Sequence, residues 1–285
     1  MLSVGTTCCP AQPPRHLALS AIPGAGAWLT APAVRDDREI DEPLYRICVQ
    51  RRLRVPMFSG DEACTLCGSP MDRFGDHALV CLCGGDRTVR HNAVRDQVYD
   101  ELHKGGVAAE REKAGLLPGR PQGDGLLSSA QARRPADIWV AGRDARQPQA
   151  VDFAVTSGLR DTQLGTGQGD VASVFEEYEM YKRGYKGTDT QCQQQGLTFT
   201  PFIIEAHAGG LSPLARRTLD GFSTEIAAAQ RSEPAAVSFM IAQRISCSLQ
   251  RESARAILRR RPCGRAPALA AAGWDAVLAD QVAWQ

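Results

Sequence analysis

The spacing of hydrophobic and polar positions predicts alternating helices and strands from residue 92 to about residue 222. Val94, Val98 and Leu102 recur at helical spacing and are followed by Gly105, a residue typical of a helix end. Short segments rich in Val, Ile, Phe and Trp predict strands. In chain order the predicted elements are helix 92–104, strand 106–113, strands 136–141 and 150–156, helix 171–185, strand 197–206 and a helix from 213. This order predicts a mixed α/β core.

The remaining segments lie on either side of this core, which we place at 91–235. Residues 1–58 are rich in Pro, Gly and Ala, and we predict a connector with one short helix at 44–53. Residues 59–90 form a small cysteine-containing unit. Residues 236–285 are predicted as a basic helical tail, whose arginines either face solvent or contact phosphates.

Composition and charge limit the compartments and partners that the protein can have. The chain has 285 residues and a formal net charge of +1, which by itself gives no reason to expect nucleic acid. It has no apolar run of about 18 residues, so we predict no membrane span and no membrane partner. Residues 1–14 lack the pattern of a secretion signal. Ten cysteines, several in metal-ligand spacing, favour a reducing, intracellular compartment over a disulfide scaffold.

Four residues between 64 and 81 have the spacing of a zinc site. Cys64 and Cys67 are separated by two residues, and His77 and Cys81 follow, a ligand set that suits one tetrahedral Zn²⁺. Cys83 is close enough in sequence to replace His77 in a four-cysteine site. A reduced cysteine cluster without metal is the third possibility. The spacing favours a structural zinc ion on Cys64, Cys67, His77 and Cys81.

Two aspartates are predicted to oppose each other across a hairpin. Asp137 opens the strand at 136–141 and Asp152 lies in the strand at 150–156, at equal distances from the turn. Opposed residues in antiparallel strands have Cβ atoms about 5 Å apart, and two carboxylates so close repel unless a cation lies between them. Mg²⁺, which prefers oxygen ligands, is the predicted ion. Alternatively, Asp137 only starts a strand and Asp152 pairs with an arginine such as Arg134.

Charged residues on neighbouring elements extend this candidate site. Glu110, or Glu112 beside it, could supply a third oxygen ligand from the preceding strand. Lys182 and Lys186 are predicted to lie one turn apart on the helix that follows the hairpin. A lysine near a metal-bound water helps to hold the attacking hydroxide and offsets phosphate charge. Each of the four could equally be an ordinary surface residue.

The order of these motifs resembles one class of retroelement protein. The cysteine–histidine unit is followed by Arg90-His91-Asn92, then by Pro135-Ala136-Asp137, fourteen residues and Asp152. This arrangement is similar to the C-terminal region of non-LTR retrotransposon proteins, where a zinc knuckle precedes a restriction-like endonuclease. The resemblance covers roughly residues 60–210. It implies a PD-(D/E)XK fold, a mixed sheet flanked by helices, preceded by the knuckle.

The resemblance also implies an activity and its partners. The chain would be a Mg²⁺-dependent DNA endonuclease that nicks target DNA, so that a 3′ end can prime reverse transcription. DNA, element RNA and a reverse transcriptase encoded upstream or separately would be its partners, which places the protein in the nucleus. The implied roles are metal binding by Asp137 and Asp152, catalytic support by Glu110, Lys182 and Lys186, and nucleic-acid contact by Arg90, His91 and Asn92.

Two features depart from the family pattern. Ala154 stands where the superfamily has a lysine two residues after the second acid, although some members carry that lysine on the following helix, where Lys182 and Lys186 are predicted. The chain also has no Tyr-x-Asp-Asp motif of a reverse transcriptase. Two alternatives to the enzyme follow: a zinc-dependent nucleic-acid-binding module without catalysis, and a decayed retroelement remnant that folds poorly. For His207 we expect a structural role at the end of a strand.

Overall fold

A four-stranded mixed sheet flanked by helices forms the centre of the protein. The computed structural model describes residues 14–32, 38–60, 62–119, 134–143, 146–159 and 171–261. The strands are β1 Ala109–Arg111, β2 Ile138–Val140, β3 Gln149–Thr156 and β4 Thr198–Glu205. The helices are α1 Arg15–Ser20, α2 Glu42–Arg52, α3 Asp76–Val80, α4 Asp86–Lys104, α5 Val171–Gly184, α6 Thr188–Gln194, α7 Pro213–Gln230 and α8 Pro234–Leu258, with 3₁₀ turns at Ala27–Thr30 and Tyr185–Gly187. The predicted α/β class is confirmed.

The strands lie in the order β1-β2-β3-β4, and the register of β2 and β3 positions the candidate site. β1, β2 and β3 pair antiparallel, whereas β3 and β4 are parallel. Ile138 is opposite Val151, so the same register, continued by one residue, places Asp137 opposite Asp152. The symmetric hairpin predicted from the sequence is therefore the observed one.

Helices cover both faces of the sheet, because β3 and β4 alternate apolar side chains to each side. On one face, Phe153 and Phe202 join the main core with apolar residues of α4, α7 and α8. On the other face, Ala154 and Ile203 pack against Phe175 of α5. Asp152 lies between Phe153 and Val151 in sequence and therefore belongs to the second face, beside α5.

Helix α4 begins earlier than its apolar pattern indicated. Gly85, with a φ of 74°, precedes the first residue, Asp86. The first turns bury the charged side chains of Asp86 and Arg90 instead of apolar ones, so a hydrophobic pattern detects the helix only from Val94. Residues 90–92 consequently lie within the helix. Strand β1 is shorter than predicted because Glu112 adopts a φ of 51°, which ends the extended backbone.

Part of the predicted connector belongs to the core. Leu19 of α1 has no exposed surface, and Trp28 of the first 3₁₀ turn is 3% exposed. Trp28 packs with Leu44 and Ile47 of α2. The Pro-, Gly- and Ala-rich composition of residues 1–58 shows no periodic pattern that would reveal these isolated apolar residues. Residues 14–32 therefore pack on the core, where the sequence predicted a connector. The helix predicted at 44–53 is confirmed as α2.

The predicted basic tail is, over its described residues, the central helix of the fold. Helix α8 contacts α2, α3, α4 and α7, and Ile241, Ile245 and Leu249 on one of its faces enter the main core. Arg260, expected in solvent or on phosphate, is 1% exposed and donates to Asp86 at 2.6 Å. The expectation of a tail was wrong because the apolar face of α8 is buried in the core, whatever the charge of the arginines at the end of the helix.

Within the described ranges, no helix combines the length and the hydrophobicity that a membrane crossing requires.

Candidate functional site

Three cysteines and one histidine come together in a compact loop unit ahead of α4. The amide of Cys64 donates to the Ser69 carbonyl at 2.7 Å, and the amide of Gly68 donates back to the Cys64 carbonyl at 2.8 Å. Gly68 permits this tight turn with a φ of 73°. The Asp72 carboxylate accepts the amide N–H of His77 at 2.6 Å, which fixes the start of α3. The local hydrogen bonds thus aim His77 back at the first cysteine pair.

The geometry of this cluster fits a metal ion. The ligand atoms of Cys64, Cys67, His77 and Cys81 all lie within 4.8 Å of one another, and Cys67 Sγ is 3.2 Å from His77 Nε2. Ligand atoms of a tetrahedral site lie about 3.5–3.8 Å apart, given Zn–S bonds of about 2.3 Å and Zn–N bonds of about 2.0 Å. Hydrogen bonds from the Ser69 side chain and backbone lower the pKa of Cys67 to about 6, which favours the thiolate that binds metal.

Cys83 lies outside this cluster. It is exposed, and its carbonyl oxygen, not its thiol, faces Cys81 Sγ at 3.9 Å. Of the two ligand sets left open by the sequence, the structure assembles the one that contains His77.

The two predicted aspartates come together with a lysine and a histidine, and we call these four residues the carboxylate site. Asp137 Oδ1 is 3.1 Å from His91 Nε2, and Asp137 Oδ2 accepts the amide N–H of Phe153 at 2.6 Å. Asp152 Oδ2 lies 2.8 Å from Lys182 Nζ. Lys182, and not Arg134, is therefore the cationic partner of Asp152.

Burial and like charge disfavour the ionised form of the Asp152 carboxylate. Burial is the main reason that the pKa of Asp152 rises to about 6, and the neighbouring Asp137 carboxylate adds to the rise, while Lys182 and His91 oppose it. Burial also opposes the charge on Lys182, but the Asp152 carboxylate raises the pKa of that lysine above its ordinary value. A second cation against Asp152 and Asp137 would be stabilised by both carboxylates.

Two residues predicted for the site lie elsewhere. Glu110 is more than half exposed and pairs with Lys113 at 3.1 Å. Lys186 follows the end of α5 with a φ of 52°, and its Nζ is 5.2 Å from the Tyr185 ring centre. The helix ends at Gly184, so the one-turn spacing that should have aligned Lys186 with Lys182 is interrupted.

The Arg90-His91-Asn92 segment does not form one surface. Arg90 is 3% exposed and donates to the Leu79 carbonyl at 2.7 Å, so it joins the cysteine–histidine unit to α4. His91 belongs to the carboxylate site, and Asn92 is half-buried. Successive helix positions point about 100° apart, which is why three consecutive residues have three different environments. Glu112, the other acid considered, pairs with Arg95 at 2.8 Å.

Two cavities lie along these residues. A cavity of about 330 Å³ is lined by His91 and Lys182 of the carboxylate site and by Tyr178, but by neither aspartate. A larger one of about 760 Å³ lies against His77 and the end of β3. Tyr178 was not anticipated, although its position four residues before Lys182 places it on the same helix face. Both cavities are lined by Leu82, Arg87, Arg90 and Val155.

No protein-family model matches the chain, and no curated protein matches it.

Proposed function

We propose that the chain is a metal-dependent DNA endonuclease of the restriction-like, PD-(D/E)XK type, derived from a non-LTR retrotransposon. The observation that supports this most directly is the carboxylate site. Asp137, Asp152 and Lys182 converge from the hairpin and the helix that follows it, with His91 against the first acid. Two opposed acids can hold a metal ion and a lysine can offset phosphate charge, which suits metal-assisted hydrolysis of a phosphodiester.

The acids would hold one or two Mg²⁺ ions. Mg²⁺ usually takes one or two carboxylates and completes its octahedron with water and substrate phosphate, which suits a site beside a cavity of about 330 Å³. When bound, the ion lowers the pKa of a coordinated water and stabilises the charge that develops on the phosphate.

The remaining groups orient the acids and balance charge. The Phe153 amide donates to Asp137 Oδ2, which fixes the orientation of the Asp137 carboxylate. His91 holds the other oxygen of Asp137. Lys182 reaches the site from α5, whereas Ala154, at the usual lysine position, packs against Phe175 and Ile203. Lys182 would thus supply the cation that the strand lacks and offset the charge of the scissile phosphate.

The cysteine–histidine cluster would bind a structural zinc ion. All four positions are filled by protein ligands, as in closed structural sites, and no position is left for substrate. Its role would be to hold the loop unit against α4 and α8, next to the larger of the two cavities.

A plasmid-nicking assay tests the enzyme. The zinc-loaded chain is incubated with supercoiled plasmid and Mg²⁺, beside Asp152→Asn and a matched control, Asp100→Asn, which alters an exposed acid on α4. Nicking by the wild type and the control, reduced at least about 10²-fold in Asp152→Asn, would support the proposal. A folded wild type that produces no open-circular plasmid with Mg²⁺ or Mn²⁺ would refute it.

A nucleic-acid-binding module without catalysis is the second candidate. Ala154 in place of the strand lysine, together with Lys182 Nζ already on the Asp152 oxygen at 2.8 Å, favours it. In that case the wild type and Asp152→Asn would shift DNA equally in a gel and neither would nick it.

A further inference from the structure

The larger cavity is lined by arginines on the side that faces α4. It measures about 760 Å³ and lies between the cysteine–histidine unit and the end of β3. Arg87 and Arg90 line it from α4 and Arg54 from the residues after α2, and Ser157 adds a hydroxyl from the residue after β3. A cavity of this size accommodates a ligand the size of a nucleotide.

Several cationic donors at this cavity lack protein partners. Arg90 is 3% exposed and uses Nη2 on the Leu79 carbonyl, but its Nε and Nη1 have no acceptor among the described residues. Behind the cavity wall, Arg51 donates from Nη1 to the Ala206 and His207 carbonyls. Its Nε lies 3.8 Å from Asp76 Oδ1, and its Nε and Nη2 have no hydrogen-bond acceptor in the described part of the chain. Buried donors without acceptors cost free energy, which an anionic ligand would recover.

The acids of the cavity do not neutralise these arginines. Asp72 is occupied by the amides of Phe74 and His77. Asp76 lies 2.7 Å from Arg54. Arg87 and Arg90 are thus the cations left for a ligand.

Arg90 remains cationic at neutral pH despite its burial. Burial, with the nearby Arg51 and Arg87, lowers its pKa to about 10. Its charge is therefore present whenever a ligand enters.

We propose that this cavity is a phosphate-binding site, in which Arg87 and Arg90 hold the phosphate. Arg87, exposed at the rim, admits the ligand, and Arg90 forms the inner wall. The site is separate from Asp137 and Asp152, and its existence does not require that the chain cleave DNA. Phosphate oxygens match the forked donors of arginine better than carboxylates or halides do.

The phosphate could belong to a nucleic-acid strand or to a small molecule. The larger cavity shares four lining residues with the smaller one beside the carboxylate site. A nucleic-acid strand could therefore place one phosphate at the carboxylate site and a neighbouring phosphate in the larger cavity. A free nucleotide or pyrophosphate would satisfy the same donors.

Isothermal titration calorimetry tests the proposal in Mg²⁺-free buffer on the zinc-loaded chain carrying Asp152→Asn, so that no cleavage interferes. The probes are pyrophosphate and a short single-stranded oligonucleotide. Arg87→Gln in that background should weaken the binding of at least one probe about tenfold, since it removes a charged hydrogen bond. The matched control, Arg217→Gln, alters an exposed arginine of α7 and should leave both affinities unchanged.

Each outcome decides the proposal. Arg87-dependent binding of pyrophosphate supports a self-contained site for small phosphates, and Arg87-dependent binding of the oligonucleotide alone supports a backbone subsite. If the folded chain binds neither probe, or if Arg87→Gln binds both as tightly as Arg217→Gln does, the assignment is overturned. Arg90→Gln, checked for folding by circular dichroism, should weaken the same probe further.

Discussion

The cysteine–histidine cluster and the carboxylate site shift the pKa values of their acidic groups in opposite directions. Hydrogen bonds lower the pKa of Cys67 to about 6, so the fold makes the thiolate of this ligand easier to form than it is in water. Burial raises the pKa of Asp152 to about 6, so the fold makes its carboxylate harder to ionise than it is in water, and a cation offsets that cost. The two sites thus shift the ionisation of their acidic groups in opposite directions, by hydrogen bonding in the first and by burial in the second.

The largest expected effect comes from removing one cysteine ligand. Cys64→Ser should lower the zinc content from one ion per chain to none. It should also lower the free energy of unfolding by about 5 kcal/mol or more, because zinc binding to such sites contributes directly to folding. Zinc content by mass spectrometry and urea denaturation measure both.

Cys83→Ser is the matched control, since Cys83 is exposed and outside the cluster. It should keep the zinc ion and the stability of the wild type. Equal zinc loss in the two variants would show that the ligand set is not the one containing His77.

The next effect separates the two lysines. Lys182→Met should reduce plasmid nicking about 10²-fold, because it removes the cation beside Asp152. Lys186→Met should change nicking less than about twofold, since Lys186 lies beyond the end of α5. The reverse result would mean that α5 rearranges when DNA binds.

A smaller effect follows from the raised pKa of Asp152. The folded protein holds this proton more tightly than the unfolded chain does, so Asp152 stabilises the fold below pH 3.8 and loses that contribution as the pH rises to about 6. Without Mg²⁺, the free energy of unfolding of the wild type should fall relative to Asp152→Asn by up to about 3 kcal/mol across this range. Urea denaturation of both proteins from pH 4 to 7 measures the difference.

Addition of Mg²⁺ provides the control for this pH dependence. It should remove the difference at pH 7, since the ion favours the ionised carboxylate. A difference that stays constant with pH would show that Asp152 titrates near its ordinary value.

The smallest effect is expected at β1. Glu110→Gln should leave nicking unchanged and alter the free energy of unfolding by less than about 0.5 kcal/mol, as is usual for an exposed ion pair. A loss of nicking above about tenfold would place Glu110 in the site of the DNA-bound protein.

The sequence predicted what depends on local spacing. The cysteine–histidine cluster spans 64–81, and its ligands are brought together by turns with few residues between them. The opposition of Asp137 and Asp152 followed from the symmetry of one hairpin, and the observed register agrees with it. Both features need only short-range geometry.

What depends on tertiary packing was not predictable in the same way. His91 reaches Asp137 from 46 residues away, and only the position of α4 on the sheet brings them together. The sequence could not distinguish Lys182 from Lys186 as the lysine of the site. The end of α5 at Gly184 distinguishes them, because only Lys182 lies on the helix. The burial of Arg260 and Arg90 contradicted a pattern in which arginines face solvent, because their partners are distant carboxylates and carbonyls.

The ion pair between Asp86 and Arg260 has a consequence for the order of synthesis. These residues are 174 positions apart, and Ile257, near the C-terminal end of α8, packs in one cluster with Cys64 and Met71. A nascent chain can fold the loop at 64–81 early, but the apolar side chains of that loop remain exposed to solvent until α8 has been synthesised and packs against them. Deleting the last turn of α8 should therefore appear as a defect of the cysteine–histidine unit, with slower zinc uptake during synthesis, although the deleted residues are distant in sequence from every ligand.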